Sequence, residues 1–183
     1  MKVIGFVGSP RAGGNTEQLV KQILAGAAEH GAETTLYSIS AMKINGCLGC
    51  YACTKDGKCV QQDDMQSLYP EIASADVLVL GTPVYMGQMT AQLKAFVDRL
   101  LPFMKPDFST RLQGKKSIVL AFTQGSPDAK AFAEYFQQTM NIFQFMGFTP
   151  AEIVVAPGLR ALTDLAQNSV EMARAKELGG KLV

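Results

Sequence analysis

The sequence contains no tryptophan and a single histidine, His30. That residue precedes Gly31 at the end of a helical pattern, where a cation favours the helix dipole. With the one imidazole so placed, a Ser/His/Asp relay is not available. Charge of neither sign is in excess: 17 Lys and Arg face 16 Asp and Glu, for a formal net charge of +1. A nucleic-acid binder normally carries a basic stripe, so no nucleic-acid partner is expected. No apolar run is long enough for a membrane span, and no polybasic cluster suggests a membrane surface. The apolar run at Met1 to Ser9 is too short for a signal peptide and reads as a first strand, so the expected location is cytoplasmic. Cysteine is absent everywhere except between Cys47 and Cys59.

What is present is a repeated alternation of short apolar runs and helical patterns. Lys2 to Gly8 reads as a buried parallel strand. A helical face follows at Leu19, Val20, Ile23, Leu24 and Ala27, with Asn15 and Gln18 spaced as a capping box. Glu33 to Ser40 is the second strand. Asp63-Asp64 opens a helix to Ser74, both acids reading as caps, and Asp76 to Leu80 is the third strand. A helix follows from about Thr90, with Asp98 and Arg99 read as a solvated or interfacial pair. Phe103 to Gly114 reads as loop, and Lys116 to Thr123 as the fourth strand. Ser126-Pro127-Asp128 predicts an N-cap with proline at the first helical position, opening a helix to about Phe145. Ala151 to Ala156 is the fifth strand. Thr163 is expected to cap a last helix to Leu178, stopped by Gly179-Gly180. With no composition break or repeat, residues 1–183 are expected to form one α/β domain with a doubly wound parallel sheet. Periodicity leaves the strand order open between the nicotinamide-type and flavodoxin-type arrangements.

In such sheets ligands lie beyond the carboxyl ends of the strands. The first loop offers Ser9, Arg11, Asn15 and Thr16 as side-chain partners and Gly13-Gly14 as flexible backbone before a helix start. Gly5, Gly8, Gly13 and Gly14 do not make the G-x-G-x-x-G spacing, and no acid ends the second strand to hold a ribose. The P-loop Lys-Ser/Thr pair is missing too. A monophosphate fits better, which points to FMN. Pro83, Val84, Tyr85, Met86 and Gly87 could then lie by an isoalloxazine, with Thr123, Gln124 and Gly125 beside them.

The four cysteines, Cys47, Cys50, Cys53 and Cys59, follow the spacing C-x2-C-x2-C-x5-C inside an insertion at about 43–62. Thiolates suit iron–sulfur clusters and zinc alike. Two successive C-x2-C steps occur in ferredoxin-type 4Fe–4S segments, whereas structural zinc more often uses separated pairs. Free thiols or reversible disulfides remain a third alternative. Gly49, Ala52 and Gly57 would let N–H groups turn toward sulfur, and Lys43, Lys55 and Lys58 are nearby cations.

Gly8 to Thr16, Gly81 to Tyr85 and Lys94 to Arg99 resemble the NADPH-dependent FMN reductase-like branch of the flavodoxin-like fold, at least from Lys2 to Gly125. With the cysteine motif added, the chain resembles the iron–sulfur flavoprotein family. The resemblance implies a three-layer fold with a five-stranded sheet in the order 2-1-3-4-5. It assigns the FMN phosphate to the first loop, Gly14 included, and the cluster to the four cysteines. It also implies a flavin-dependent oxidoreductase passing electrons between cluster and flavin, with ferredoxin or NAD(P)H as donor, in a homodimer or homotetramer. The alternatives are an NAD(P)H-dependent FMN or quinone reductase without a cluster, and a non-enzymatic redox sensor.

Overall fold

The computed structural model describes residues 1–183. Its strands are β1 (Lys2–Val7), β2 (Glu33–Ser38), β3 (Val77–Pro83), β4 (Ser117–Thr123) and β5 (Thr149–Ala156). They pair in parallel in the order β2-β1-β3-β4-β5, the flavodoxin-type arrangement that the resemblance implied. The helices are α1 (Asn15–Glu29), α2 (Cys53–Asp56), α3 (Met65–Ser74), α4 (Ala91–Asp98), α5 (Ala133–Phe145) and α6 (Ser169–Lys181). None is long and apolar enough to cross a membrane.

Strand side chains alternate between faces, and the sheet divides two cores accordingly. Ile4, Phe6, Leu78, Leu80, Ile118, Leu120 and Phe122 pack with Leu68, Phe96, Phe136 and Phe143 from α3, α4 and α5. Val3, Val7, Val79, Val119, Ala121 and Val154 pack with Leu19, Val20, Ile23 and Ala175 from α1 and α6. The central strands are buried on both faces, which is why they read as continuous apolar runs. At the β5 edge an extra residue enters between the partners of Ile118 and Val119, next to Pro150. Proline lacks a ladder donor and is tolerated on an edge strand or at such a bulge.

The structure corrects several sequence expectations. Gly179-Gly180 do not stop the last helix; both lie inside α6. A Cβ on Gly179 would collide with the Ile23 carbonyl of α1, and one on Gly26 with the Lys176 carbonyl of α6. These glycines let the two helix backbones touch, which outweighs their poor helix propensity. The cap of α6 is Asn168, whose side chain accepts from Glu171 N at 3.1 Å, rather than Thr163. The helix foreseen from Ser126 starts only at Ala133. Ser126 O accepts from Gly158 N at 2.8 Å and Asp128 O from Gln124 Nε2 at 2.7 Å, so these carbonyls serve neighbouring loops instead of a helix. β2 ends at Ser38, and Ile39–Ala41 forms a 3-10 turn whose Ser40 hydroxyl donates to Ser9 O at 2.9 Å. Residues 103–114, read as loop, also carry a bridge between Met104 and Thr110.

Candidate functional site

The sheet's carboxyl edge builds one polar cleft of about 270 Å³. It is lined by Ser9, Arg11, Asn15, Thr16, Pro83, Val84, Tyr85, Thr123, Gln124 and Gly125, all foreseen from the sequence, together with Leu159 and Arg160. Gly14, Met86 and Gly87 do not line it. Gly14 instead serves as the backbone N-cap of α1, and its N–H donates to Arg11 O at 3.1 Å. Met86 and Gly87 are the two central residues of a tight turn. Both have positive φ (50° and 81°), and Tyr85 and Gln88 exchange backbone hydrogen bonds of 2.8 and 3.0 Å across it. Met86 is fully exposed at its tip.

The cleft is assembled by short-range ties between loops. In the first loop Ser9 Oγ accepts from Arg11 N at 3.2 Å, and Glu17 accepts from Gly13 N at 2.7 Å. The hydrogen bond from the Lys21 ammonium, then the one from Gly13 N, outweigh burial and hold the Glu17 carboxyl below its usual range. No capping box forms. Gln18 donates to Gly13 O at 2.8 Å, while the Asn15 side chain reaches across to Ala161 O and Leu165 N. At the floor the buried hydroxyls of Thr16 and Thr123 lie 2.7 Å apart. Val84 N donates to Thr123 O at 2.8 Å, joining the β3 and β4 loops. Thr90 caps α4 by accepting from Leu93 N at 3.2 Å, and its hydroxyl donates to Gly8 O at 2.7 Å. Gln124 is buried, its amide donates to Asp128 O, and its Oε1 has no protein partner.

Leu159 and Arg160 were not foreseen. They come from the loop after β5, whose Leu159 N donates to Gln124 O at 2.9 Å. The signal was available: the rule that ligands sit beyond strand carboxyl ends applies to β5 as well, and Gly158-Leu159-Arg160 there offers a turn followed by a cation.

The cysteine segment leaves the same edge of the sheet after β2. Its neck is closed by paired contacts. Lys43 N donates to an Asp64 carboxylate oxygen at 2.7 Å, and Asp64 N to Lys43 O at 3.1 Å. Asn45 N donates to Asp63 Oδ2 at 3.0 Å. Arg99 completes the clasp with bonds to both Asp63 oxygens, at 2.6 and 3.0 Å, and to Asn45 O at 2.9 Å. Both side chains of this pair are 1% exposed. Arg99 is therefore no solvated partner of Asp98, which pairs with Lys94 at 2.6 Å, and Asp63 is no simple cap. Burial would raise the Asp63 carboxyl; the Arg99 guanidinium and the Asn45 N–H overcome it and hold it below the usual range. Tyr69, whose hydroxyl donates to Arg99 O at 3.0 Å, is pushed well up by burial and by the nearby Cys59.

Beyond the neck the loop opens. Cys47 and Cys50 are exposed, Cys59 is half-buried and Cys53 is buried at the start of α2. All four are free thiols. Burial raises the Cys53 thiol, and Cys59, Cys47 and Cys50 push it the same way. Gly49 N already points to Cys47 Sγ at 3.4 Å. Gly49, Tyr51 and Gly57 all have positive φ, so the segment turns at these three positions. Arg111 holds the tip through Thr54 O and Lys55 O. The donors are thus soft and correctly typed for an iron–sulfur cluster, but no three His, Cys, Asp or Glu side chains are gathered as a ligand set.

Residues 1–158 match the family of NADPH-dependent FMN reductases. The chain belongs to this family. Within it, an iron–sulfur flavoprotein of Archaeoglobus fulgidus is 33% identical across all of this chain and 79% of its own length. An iron–sulfur flavoprotein of Methanocaldococcus jannaschii is 45% identical over 102 residues. That match spans 56% of this chain and about half, 53%, of the relative. The fold of the family is shared by the NAD(P)H:quinone oxidoreductase from Methanothermobacter marburgensis, at a TM-score of 0.76 and 15% identity over 100% of this chain and 96% of that one.

Proposed function

We propose that the cleft binds FMN and that the chain works as an electron-transferring flavin oxidoreductase. The observation that carries this reading is the convergence of four strand-end loops into one polar cleft with two guanidinium groups and no carboxylate. Ser9 and Arg11 face the phosphate at the start of α1, where the helix dipole also favours an anion. Pro83, Val84 and Tyr85 form the wall for the ring, and Thr123, Gln124 and Gly125 supply polar edges. Gln124 lines the same cleft, and its buried Oε1 has no protein partner. Bound FMN supplies the redox chemistry, exchanging electrons singly or in pairs, while the protein positions it and sets its surroundings.

Cys47, Cys50, Cys53 and Cys59 would hold a 4Fe–4S cluster, a carrier of single electrons. The support is the spacing, the free thiols, the left-handed turns at Gly49, Tyr51 and Gly57, and the likeness to iron–sulfur flavoproteins. The donor would be ferredoxin or NAD(P)H, with Lys43, Lys55 and Lys58 available to an acidic partner, in a cytoplasmic homodimer or homotetramer. A second reading, an NAD(P)H-dependent quinone or FMN reductase with no cluster, is favoured by the ungathered thiols.

Anaerobic purification followed by an absorption spectrum, with iron and acid-labile sulfide assays, separates the two. Flavin bands on a broad shoulder with stoichiometric iron and sulfide support the cluster reading. A bare flavin spectrum with steady-state NADPH oxidation supports the second. A protein that neither retains nor takes up FMN contradicts both.

A further inference from the structure

Asn15 lines the cleft, and its side chain also ties α1 to the loop after β5. Its Nδ2 donates to Ala161 O at 2.7 Å, and its Oδ1 accepts from Leu165 N at 2.9 Å. The first helical residue of α1 therefore grips both ends of a short loop that follows β5. The same loop is bound from its other sides. Asp164 Oδ2 accepts from Arg160 N and Ala161 N, each at 2.7 Å, and Leu159 N and Gly158 N donate to Gln124 O and Ser126 O. Every one of these ties is to the backbone around Arg160, and together they fix where its side chain begins.

The Arg160 guanidinium is then the group left over. Its Nε lies at a long 3.5 Å from Gly125 O, and its own carbonyl accepts from Arg11 Nη1 at 3.3 Å. The two arginines thus stand side by side on one wall of the cleft, and neither makes an ion pair. Two carboxylates of the flanking loops have other partners: Asp164 Oδ2 accepts from the Arg160 and Ala161 N–H groups, and Glu17 from Gly13 N and Lys21. Two unpaired cations in a pocket without an acid complement a dianion. A phosphomonoester is such a group, and planar guanidinium forks match its oxygens. In oxidised FMN the phosphate is the part that carries formal charge.

We propose that Arg160 is a second cationic ligand of the phosphate, beside Arg11, and that Asn15 is a positioning residue that delivers it. This rests on the reading of the cleft as an FMN site. It extends the binding site past residue 158, where the family match ends.

The test is a fluorescence-quenching titration of flavin-free protein with FMN and, separately, with riboflavin, which lacks the phosphate. Circular dichroism confirms that each variant is folded. Arg160→Ala is expected to weaken FMN about ten- to a hundredfold, the scale of a charge-assisted hydrogen bond, and to change riboflavin affinity by less than about twofold. Arg160→Lys should recover part of the FMN affinity. Asn15→Ala should reproduce the pattern, and the double variant should be no weaker than Arg160→Ala alone, because the two act through one contact. Inorganic phosphate should compete with FMN in the wild type and less in either variant. Equal losses for FMN and riboflavin, or strictly additive losses in the double variant, would overturn the assignment. Wild-type protein that fails to bind FMN would overturn the cleft reading itself. Wild-type binding with an unaffected Arg160→Ala overturns only the role of Arg160.

Discussion

The cleft and the cysteine loop leave the same edge of the sheet, but their hydrogen bonds are distributed differently. The cleft is tied across its whole depth: Thr16 to Thr123 at the floor, Val84 to Thr123 on one wall, and Asn15 to the β5 loop on another. Its parts come from distant points of the chain, yet each is fixed by an element buried in one of the two cores. The cysteine loop is tied hard at its neck by Arg99 and Asp63 and at its tip by Arg111, while its thiols are left apart. The difference matches the chemistry proposed for each. An organic cofactor is bound by many weak contacts and gains from a site formed in advance. A metal site is held chiefly by a few strong ligand bonds, and these can close the last part of the loop.

The largest expected effect comes from breaking the neck. Arg99→Ala leaves the buried Asp63 carboxylate without its cation and should cost about 3–5 kcal/mol, read as a shift of the urea midpoint. The pH dependence has a definite sign. Asp63 is held below the usual carboxylate range. Its contribution is therefore fully present above the unfolded carboxylate's pKa and is lost as pH falls through the lower folded value. Urea melts of Arg99→Ala should show a smaller loss of stability on acidification than the wild type. An unchanged acid dependence would show that the pair is not what holds the neck.

The converse change strikes the cleft side. Gly179→Ala places a methyl group against the α1 backbone and should cost about 1–3 kcal/mol, seen as a lower Tm. Because α1 carries the first loop, FMN affinity should fall with it, while the reactivity of the cysteines toward a thiol reagent stays as in the wild type. Thr90→Ala removes the cap of α4 and the tie to Gly8 O, and should cost about 1 kcal/mol. The smallest expected change in stability, under about 1 kcal/mol, belongs to Cys53→Ser. Its effect should appear in iron instead: iron lost and FMN retained, by metal assay and flavin absorbance. Unchanged iron content would remove Cys53 from the ligand set.

Parts of this arrangement were legible in the sequence because they rest on local pattern. Asp76 to Leu80 reads as a buried strand from its own residues, and Ser9 to Thr16 as a loop before a helix. The cleft residues on the first, third and fourth loops follow from their places after those strands. What was not legible depends on contacts between segments far apart in the chain. Asp63 looks like a cap beside Asp64, since nothing local reveals an arginine 36 residues away. Asn15 and Gln18 carry the spacing of a capping box, but the β5 loop offers Asn15 better-placed backbone partners 146 and 150 residues on. Gly179 reads as a helix stop because its local propensity is poor; only the α1 backbone against it explains its place inside α6.

If the cleft is formed in advance and the cysteine loop is completed by its metal, flavin binding must not depend on iron. Anaerobic titration of flavin-free, iron-free protein with FMN, repeated after reconstitution with iron and sulfide, tests this. The expected result is stoichiometric binding in both cases with affinities within about twofold of each other. FMN that binds only after iron and sulfide are supplied would contradict a cleft held together by its own hydrogen bonds.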